Sequence, residues 1–425
     1  MCLAKMFLLL KVLEATRRMV EGDNFLEVSR KKPSDFTRRR KLSFRGYIWY
    51  LLSNTKRSLT TGLRAFVNEF NEGKETLSKQ AFSQGRRKIR PEAFRELMDL
   101  TSNMFYAEAD YQKWNGMRVT AVDGSRLNLP TSDELAEYFG IQKSSGEQVQ
   151  ALSSSLYDVL NGITIDASIA PHNANERDLA EKHLKYLKDH PLPSVQELVI
   201  FDRGYPSGEL LRVLEDYGFK YLMRFNSTFI SPSLIIENDC VLTHKFKAAP
   251  APMKLRIVTL PLSNGEKEYL VTNLLDRSIT GEDFRMLYTK RWGIETHYGD
   301  VKNKLWMEDF SSKMVEGIQQ DFYATLTVGN LACIQIYDCQ DRIDKQHNQK
   351  GNAYTYKANV NVTIGMLRDT VIRVVAANSN RQKNKLMRQL YRDVSRFVSP
   401  VRSGISHPRK VTHPGTKFSS NSRLP

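Results

Sequence analysis

The stretch from residue 284 to residue 306 carries side chains whose chemistry suits the handling of a phosphate. Tyr288, Arg291, Glu295 and Lys302 follow one another at steps of 3, 4 and 7 residues (291−288, 295−291, 302−295). Since an α-helix turns by about 100° per residue, these steps return to nearly the same face. A continuous helix would therefore present a phenol, a guanidinium, a carboxylate and an ammonium in one row. Such a row could hold a metal-bound phosphate, and a solvated helix face with salt bridges is the alternative.

Two further carboxylates stand where strands are predicted to end. The β-rich segment MRVTAVDGSRLNLP turns at Asp123-Gly124, and the apolar strand SVQELVIFD ends at Asp202. Carboxylates at adjacent strand ends, joined by Glu295 from a covering helix, can converge on one pocket. Such groups repel one another unless cations neutralise them. Mg²⁺ suits this role because it is a hard ion that binds oxygen, and two ions about 4 Å apart would clamp both reacting oxygens of a phosphodiester.

The elements that must position these residues form a mixed α/β pattern. From residue 117, strands and helices follow in the order β-β-β-α-β-α-β, with a hairpin signal at Asn161-Gly162. This order predicts a mixed sheet with a helix-covered face. Residues 226–278 are predicted to be an inserted β-rich segment, and the segments 315–345 and 362–398 are predicted to be helical.

Residues 31–92 form the most basic region, in which aromatic and aliphatic residues are interleaved. This mixture predicts a folded helical module with basic faces. Ser78 is a possible N-cap of a short helix, and a second helix begins around Pro91. A DNA-binding helix–turn–helix is one interpretation, and an exposed pair of basic helices is the other. The candidate DNA contacts in this region are Arg38, Arg39, Arg40, Arg86, Arg87 and Lys88.

Length and charge narrow the class of function. The chain has 425 residues, enough for two or three domains, and a formal net charge of +16. Because no long apolar stretch accompanies this charge, it indicates nucleic acid and not a membrane as the partner. Four scattered cysteines without a CxxC pair predict neither a disulfide framework nor a zinc site, which suits a reducing cytosol.

The row of residues around Glu295 also resembles a known pattern. Tyr288-x2-Arg291-x3-Glu295-x6-Lys302 resembles the Y-R-E-K signature of bacterial insertion-sequence transposases of the DDE type, in the insertion-sequence-four family. The strings VDGSRLNLP, NERDLA, VIFDRGY and SKQAFSQGRRK are similar to that family too. The resemblance therefore covers residues 40–345.

This resemblance implies an RNase H-like catalytic core with a β-rich insertion before its last helix. It implies that three carboxylates bind two Mg²⁺ ions, which Mn²⁺ could replace, namely Asp123, Asp202 and Glu295. It further implies that three residues contact DNA phosphates near the element end, namely Tyr288, Arg291 and Lys302. Some members place a Trp in the insertion to trap a flipped base during hairpin formation, and residues 226–280 contain none.

The activity that the resemblance implies is cut-and-paste transposition. The protein would bind terminal inverted repeats, cleave a strand at each element end and join the 3′-hydroxyl to target DNA. Its partners would be double-stranded DNA and a second copy of the chain in the synaptic complex, with no membrane, in the bacterial cytoplasm. Two alternatives stay open: an RNase H-like nuclease that cuts without joining, and a non-catalytic DNA-binding regulator derived from a transposase.

We predict four consecutive segments: a helical DNA-binding domain (1–110), the catalytic domain (111–312), a helical C-terminal region (313–398) and a disordered basic tail (399–425). Several polar residues near the predicted site have simpler interpretations. Glu176 and Asp178 are interpreted as helix-start residues favoured by the helix dipole, and His183 as a packing residue. Arg203 and Tyr205 could either shape the loop of the second Asp or touch DNA.

Overall fold

The computed structural model of the chain describes residues 7–38, 40–53, 56–70, 77–143, 146–235, 237–247, 251–262, 265–347 and 354–401. Its helices are α1 (Leu8–Glu21), α2 (Asp23–Ser29), α3 (Phe44–Ser53), α4 (Leu59–Phe70), α5 (Lys79–Arg86), α6 (Glu92–Glu108), α7 (Asp133–Phe139), α8 (Glu176–Asp189), α9 (Gly208–Asp216), α10 (Gly281–Thr289), α11 (Trp292–Asn303), α12 (Val315–His347), α13 (Val360–Ala376) and α14 (Asn380–Val394). Its strands are β1 (Met117–Asn128), β2 (Ile141–Gln142), β3 (Gln148–Asp158), β4 (Ile163–Pro171), β5 (Gln196–Phe201), β6 (Lys220–Phe225), β7 (Asp239–His244), β8 (Met253–Pro261), β9 (Lys267–Thr272), β10 (Thr355–Ala358) and β11 (Val398–Val401).

By compactness the chain divides into two units. The sheet unit comprises Asp110–Arg126 and Leu152–Gly299, and the helical unit comprises Met1–Ala109, Leu127–Ala151 and Asp300–Pro425. The helical unit thus joins N-terminal helices to C-terminal ones, whereas the sequence suggested separate consecutive segments. The functional roles assigned to those segments stay predictions.

Helix α12 is the centre of the helical unit. It packs against α1, α3, α6 and α13. Its Asp338 carboxylate accepts the N–H groups of Leu8 and Leu9 at 3.0 and 2.9 Å, so it satisfies donors that the first turn of α1 leaves open. Helix α12 confirms the helix predicted for residues 315–345. Helices α13 and α14 confirm the helical structure predicted for residues 362–398.

Two details of the terminal segments bear on the sequence predictions. The predicted Ser78 cap is present, because the Ser78 hydroxyl accepts the N–H of Ala81 at 3.2 Å. The disorder expected from residue 399 onward is wrong for residues 399–401, because they belong to β11, which pairs antiparallel with β10. The rest of that tail, residues 402–425, lies outside the described residues. In the described ranges, no helix has the length and apolarity needed to cross a membrane.

The sheet unit is organised by a mixed sheet. Strands β1, β5 and β6 are parallel, and β9, β8 and β7 continue the sheet in antiparallel pairing. On the other side of β1 lies β3, which also pairs with β4 beyond the predicted Asn161-Gly162 turn. Gly162 has φ +77°, the left-handed conformation that such a turn favours. The prediction of a mixed α/β sheet core is confirmed, and the predicted β-rich insertion extends the same sheet.

A compact apolar core holds α10 on this sheet. Side chains from the parallel strands, from β8 and β9 and from α10 meet there with almost no exposed surface, among them Val119, Leu198, Ile200, Leu222, Val258, Leu270, Phe284 and Leu287. Each such side chain contributes about 1.5–3 kcal/mol when it is fully buried. Helix α10 is therefore strongly fixed against the strands.

A buried polar network attaches α8 to the same sheet. Nδ1 of His183 lies 2.7 Å from Oδ2 of Asp166 on β4, and its Nε2 lies 3.0 Å from Oγ of Ser154 on β3. All three side chains are buried, so a substrate has no access to this Ser-His-Asp arrangement. The interpretation of His183 as a packing residue is confirmed, and its hydrogen bonds fix the position of α8 on the sheet.

Candidate active site

Asp123 and Asp202 lie at the same edge of the sheet. Strands β1 and β5 are parallel, and Ala121 is paired with Ile200. Two residues further along each strand stand Asp123 (121+2) and Asp202 (200+2), so the two carboxylates belong to adjacent strands at the same level. The carboxyl edge of parallel strands is where open α/β sheets commonly bind their ligands.

One sequence expectation for Asp123 is corrected. Strand β1 does not turn at Asp123-Gly124 but runs on to Asn128. The pairing of β1 with β5 nevertheless ends at Ala121, so Asp123 lies just beyond it. Asp202 follows the last residue of β5, as predicted.

The expected single helix is also corrected. Helix α10 ends at Thr289 and α11 begins at Trp292, with Lys290 and Arg291 in a turn between them. The N–H of Arg291 bonds to the carbonyl of Tyr288 at 3.0 Å, which is the three-residue spacing of a tight turn. Tyr288, Arg291 and Glu295 therefore do not form one row on one continuous helix.

The turn nevertheless brings these three side chains to the two aspartates. The Tyr288 hydroxyl donates to Oδ1 of Asp202 at 3.3 Å. Nη2 of Arg291 donates to Oε1 of Glu295 at 2.9 Å, and Nη1 of Arg291 lies 3.9 Å from Oδ2 of Asp123. The structure thus gathers five of the predicted site residues in the sheet unit.

Burial argues against the solvated-face interpretation. Tyr288 is 5% exposed and Arg291 is 4% exposed, whereas a solvated salt-bridge face would leave both in water. The guanidinium carbon of Arg291 lies 5.7 Å from the ring centre of Tyr288 and 5.1 Å from that of Trp292. Within the described residues, no acceptor reaches Nε of Arg291, so one donor of this buried cation has no hydrogen-bond partner.

The pKa of Asp123 indicates a carboxyl group with too little positive charge around it to offset its burial. Burial raises its pKa to about 6, and the nearby carboxylates of Glu176 and Glu295 add to this effect. The N–H of Gly124, at 2.9 Å, and the guanidinium of Arg291 act in the opposite direction. A shift of this kind is typical of functional sites, although structural ion pairs can also cause it.

The donor set can be compared with what a divalent cation needs. Carboxylate oxygens are the ligands that Mg²⁺ prefers, and a buried carboxyl with a raised pKa would gain from a cation. Across the described ranges, however, no three His, Cys, Asp or Glu side chains are grouped so that they could hold one metal ion. The residues fit a divalent cation in their chemistry, while the contacts shown are those of a guanidinium held by carboxylates. The three-carboxylate metal site stays a prediction.

Lys302 belongs to the helical unit and not to the sheet unit that holds the other five residues. It stands on the last turn of α11, and by compactness it belongs to the helical unit. Burial lowers the pKa of its ammonium, and the Glu308 carboxylate of the same unit opposes that effect. Its predicted contact with a DNA phosphate stays a prediction.

The predicted DNA contact at Arg86 is corrected. Its side chain is buried at the end of α5. The guanidinium donates to Gln320, Ser311, the Gly317 carbonyl and Asp321 at 2.8, 2.7, 2.9 and 2.9 Å. A cation with these donors engaged inside the helical unit has no surface to offer a phosphate. Arg86 is a structural residue that joins α5 to α12.

The other basic candidates have different environments. Arg38 and Arg40 are exposed, and Arg39 lies outside the described residues. Arg87 is exposed with Nε 2.6 Å from the sulfur of Met314, and Lys88 is half-exposed with Nζ 3.2 Å from Asp35. Arg38, Arg40 and Arg87 are therefore the exposed residues among the predicted contacts that the structure describes.

The structure confirms Glu176 as a helix-start residue and places Glu176 and Tyr205 near Asp123. Asn175 caps α8 by accepting the N–H of Arg177 at 2.9 Å, and Glu176 is the first helical residue. The Glu176 carboxylate lies against Gly124, next to Asp123. Burial raises the pKa of Tyr205, and the charges of Asp123 and Glu176 raise it further. A glycine directly after the first Asp was the one local signal that something approaches the backbone there.

Comparisons with known proteins agree with this geometry. The profile of the transposase DDE domain family matches residues 114–331. InsZ of Escherichia coli K12, which is named as a transposase, is 26% identical over 187 residues, or 43% of this chain and 60% of that protein. The transposase InsG for insertion sequence element IS4, also of Escherichia coli K12, is 22% identical over 280 residues, or 61% of each chain. The chain thus spans less than two thirds of the length of these curated relatives.

A solved structure is similar as well. It is the cryo-EM structure of the piggyBac transposase synaptic complex with hairpin DNA. The likeness covers 96% of this chain and 88% of that one, with 13% sequence identity and a TM-score of 0.49.

Proposed function

Since the chain belongs to the transposase DDE domain family, we propose that it is the transposase of an insertion sequence. It binds the inverted repeats at the element ends, cleaves a strand at each end and joins the freed 3′-hydroxyl to target DNA. The observation that carries this proposal is the meeting of Asp123 and Asp202, on adjacent parallel strands, with Tyr288 and the Arg291–Glu295 pair. A family match without those contacts would fit an inactive relative equally well.

In this proposal Asp123, Asp202 and Glu295 hold Mg²⁺, or Mn²⁺ in its place. Bound divalent cations supply the positive charge that phosphodiester cleavage requires. The chain's own contacts prepare that site. Tyr288 donates to Asp202 and so orients its carboxylate, while Arg291 orients Glu295 and holds positive charge beside the buried Asp123.

Arg291 is also suited to contact DNA directly. In this proposal the Arg291 guanidinium, although only 4% exposed, donates to a phosphate that enters the site, because guanidinium–phosphate hydrogen bonds are among the stronger ones in proteins. Lys302 would add a second phosphate contact. Such contacts position the DNA backbone but read no base sequence.

The helical unit is the proposed DNA-binding part. The net charge of +16 and the exposed Arg38, Arg40 and Arg87 support it, because phosphate neutralisation supplies much of the affinity for DNA. Two element ends must be brought together before joining, so we propose a dimer on paired end DNA, in the bacterial cytoplasm. Light scattering of the complex with end DNA tests this, and one chain per two joined ends would contradict it.

The activity is tested by a strand-cleavage and joining assay. The DNA on each side of the gene is first searched for short inverted repeats, which then serve as labelled duplex ends. The purified chain with Mg²⁺ should nick these ends and join them to a second duplex, and EDTA should stop both steps. Nicking without joining would instead indicate a nuclease, and binding without nicking a non-catalytic regulator.

A further inference from the structure

Helix α11 carries Glu295 and, three residues later, a buried tyrosine. Tyr298 is 7% exposed, and its hydroxyl donates to the main-chain carbonyl of Asp123 at 2.8 Å. This is the usual distance for an O–H···O hydrogen bond. The carbonyl of Ser153, on the neighbouring strand β3, lies 3.3 Å from the same hydroxyl. One phenol therefore links the helix of Glu295 to the strand of Asp123.

The ring of Tyr298 is held in place by apolar packing. It forms a buried cluster with Ala121 on β1 and with Ile294, which lies one turn earlier on α11. Tyr157 and Val159 pack against this cluster. Because close packing leaves the ring little room to move, its hydroxyl stays directed at the Asp123 carbonyl.

The carbonyl that accepts this hydrogen bond belongs to the peptide group that also contacts the Asp123 carboxylate. The N–H of that peptide group comes from Gly124, and it donates to Oδ1 of Asp123 at 2.9 Å. Since a peptide group is planar, the direction of its carbonyl determines the direction of its N–H. Tyr298 thus fixes one end of the plane, and the other end orients the carboxylate.

Asp202 is held in a comparable way by a different tyrosine. The N–H of Arg203 donates to Oδ1 of Asp202 at 2.7 Å, and the Tyr288 hydroxyl donates to the same oxygen at 3.3 Å. Tyr288 contacts its carboxylate directly and belongs to the Y-R-E-K pattern. Tyr298 contacts the main chain and lies outside that pattern.

A buried hydroxyl that bonds to a carbonyl could serve stability alone, since buried polar groups are normally hydrogen-bonded. The place of this acceptor indicates a further role. The pairing of β1 with β5 ends at Ala121, so the Asp123 carbonyl is held by a side chain and not by that ladder. The side chain that holds it comes from the helix of Glu295, so the contact couples the positions of two site carboxylates.

We propose that Tyr298 is a positioning residue of the active site. Through the peptide group between Asp123 and Gly124, it sets the direction of the Asp123 carboxylate relative to Glu295. This inference rests on the proposed function, because Asp123 and Glu295 are two of the three carboxylates assigned to strand cleavage. Loss of this one hydroxyl should slow cleavage although no group that touches DNA is removed.

Hydrogen exchange resolved to single amides by mass spectrometry tests the positioning without DNA or metal. Tyr298→Phe removes the hydroxyl and keeps the ring. In the full-length variant the Gly124 amide should exchange about 5- to 10-fold faster, because its peptide group is released. The Arg203 amide makes the same kind of contact to Asp202 and should keep its rate. An unchanged Gly124 rate would overturn the proposal.

Tyr221→Phe is the matched control. Tyr221 is a buried phenol on β6 of the same unit, and its hydroxyl donates to Oε1 of Glu215 at 3.3 Å. Each variant loses one buried hydroxyl and its hydrogen bond, so thermal unfolding should show similar small shifts. If Tyr221→Phe accelerates exchange at Gly124 as much as Tyr298→Phe does, the effect is general destabilisation and the proposal is wrong.

A second measurement separates cleavage from binding. In Mg²⁺, Tyr298→Phe should nick labelled end DNA at a single-turnover rate about 10-fold or more below wild type, because a small misplacement of an active-site group is costly. Its affinity for the same DNA, measured by fluorescence anisotropy, should stay within about twofold of wild type. Tyr221→Phe should keep both the rate and the affinity. Equal nicking rates in the two variants would count against the proposal.

The two measurements also separate this inference from the proposed function. If the wild-type chain nicks end DNA and Tyr298→Phe nicks it equally fast, only the role of Tyr298 is wrong. If the wild-type chain does not nick end DNA at all, the proposed function fails. The exchange rate of the Gly124 amide then still decides whether Tyr298 fixes the peptide group of Asp123.

Discussion

Arg291 donates from Nη2 to Oε1 of Glu295 over 2.9 Å while its Nη1 lies 3.9 Å from Oδ2 of Asp123. One buried guanidinium thus links the turn between α10 and α11 to the carboxylate on β1. Because Arg291 is buried between these carboxylates, it can hold them in place, and we propose that it also donates to a phosphate of bound DNA.

We expect Arg291→Ala to weaken binding of cleaved end DNA by about 1–3 kcal/mol for the charge-assisted hydrogen bond it removes. Joining should slow, whereas Mn²⁺ binding should persist because the carboxylates remain. Arg291→Lys keeps the charge but loses the planar donor pair, so it should recover only part of the affinity. Fluorescence anisotropy with cleaved ends measures the affinity. Unchanged affinity in Arg291→Ala would show that the guanidinium serves only the carboxylates.

Arg86 should govern stability and not DNA recognition. Arg86→Ala removes the ion pair from the buried Asp321 carboxylate, which costs about 3–5 kcal/mol. The exposed neighbour provides the control, since Arg87→Ala should change the free energy of unfolding by no more than about 0.5 kcal/mol. Urea unfolding measures both. A stable Arg86→Ala variant with lost end binding would restore the original prediction of a DNA contact.

The same pair predicts how stability depends on pH. Burial tends to raise the pKa of Asp321, but Arg86, Lys56 and the Ser311 N–H together hold it below its usual value. The folded chain therefore keeps this carboxylate charged at a pH where the unfolded chain already binds a proton. Its contribution to stability is complete above the unfolded pKa of about 4 and is lost as pH falls through the folded pKa.

Asp321→Asn tests this dependence. The variant should be less stable than wild type at pH 7, and the difference should shrink as the pH falls below about 4. Urea unfolding at several pH values gives the two curves. A constant difference at every pH would mean that the charge of Asp321 does not contribute.

Binding to end DNA should weaken steeply with salt. Each phosphate contact contributes about 0.9 to the slope of log affinity against log salt concentration, because bound counterions are released. Arg38→Ala and Arg40→Ala should each reduce that slope by about 1, since both side chains are exposed. Arg86→Ala should not reduce it. Affinity that stays flat across the salt range would contradict DNA binding through these residues.

What the sequence predicted well was local. The strand before Asp202, the Asn161-Gly162 turn and the Ser78 cap depend on neighbouring residues, whose preferences determine short segments. The spacing of Tyr288, Arg291 and Glu295 also identified a site. The predicted geometry of that site was wrong in one respect, because the turn at Lys290 and Arg291 interrupts the helix that the spacing suggested.

What the sequence could not predict depends on distant contacts. Arg86 stands in a basic run typical of DNA contacts, yet its partner Asp321 comes 235 positions later. The joining of N-terminal and C-terminal helices in one unit also arises from packing around α12.

The central claim is that Glu295 works with Asp123 and Asp202 in cutting DNA, and one measurement tests it most directly. Glu295→Gln keeps the size of the side chain and removes its charge, so in Mg²⁺ it should abolish nicking of labelled end DNA while end binding stays at or above the wild-type level. Since the three carboxylates act as a unit, Asp123→Asn and Asp202→Asn should give the same result. Nicking by Glu295→Gln at the wild-type rate would contradict the account.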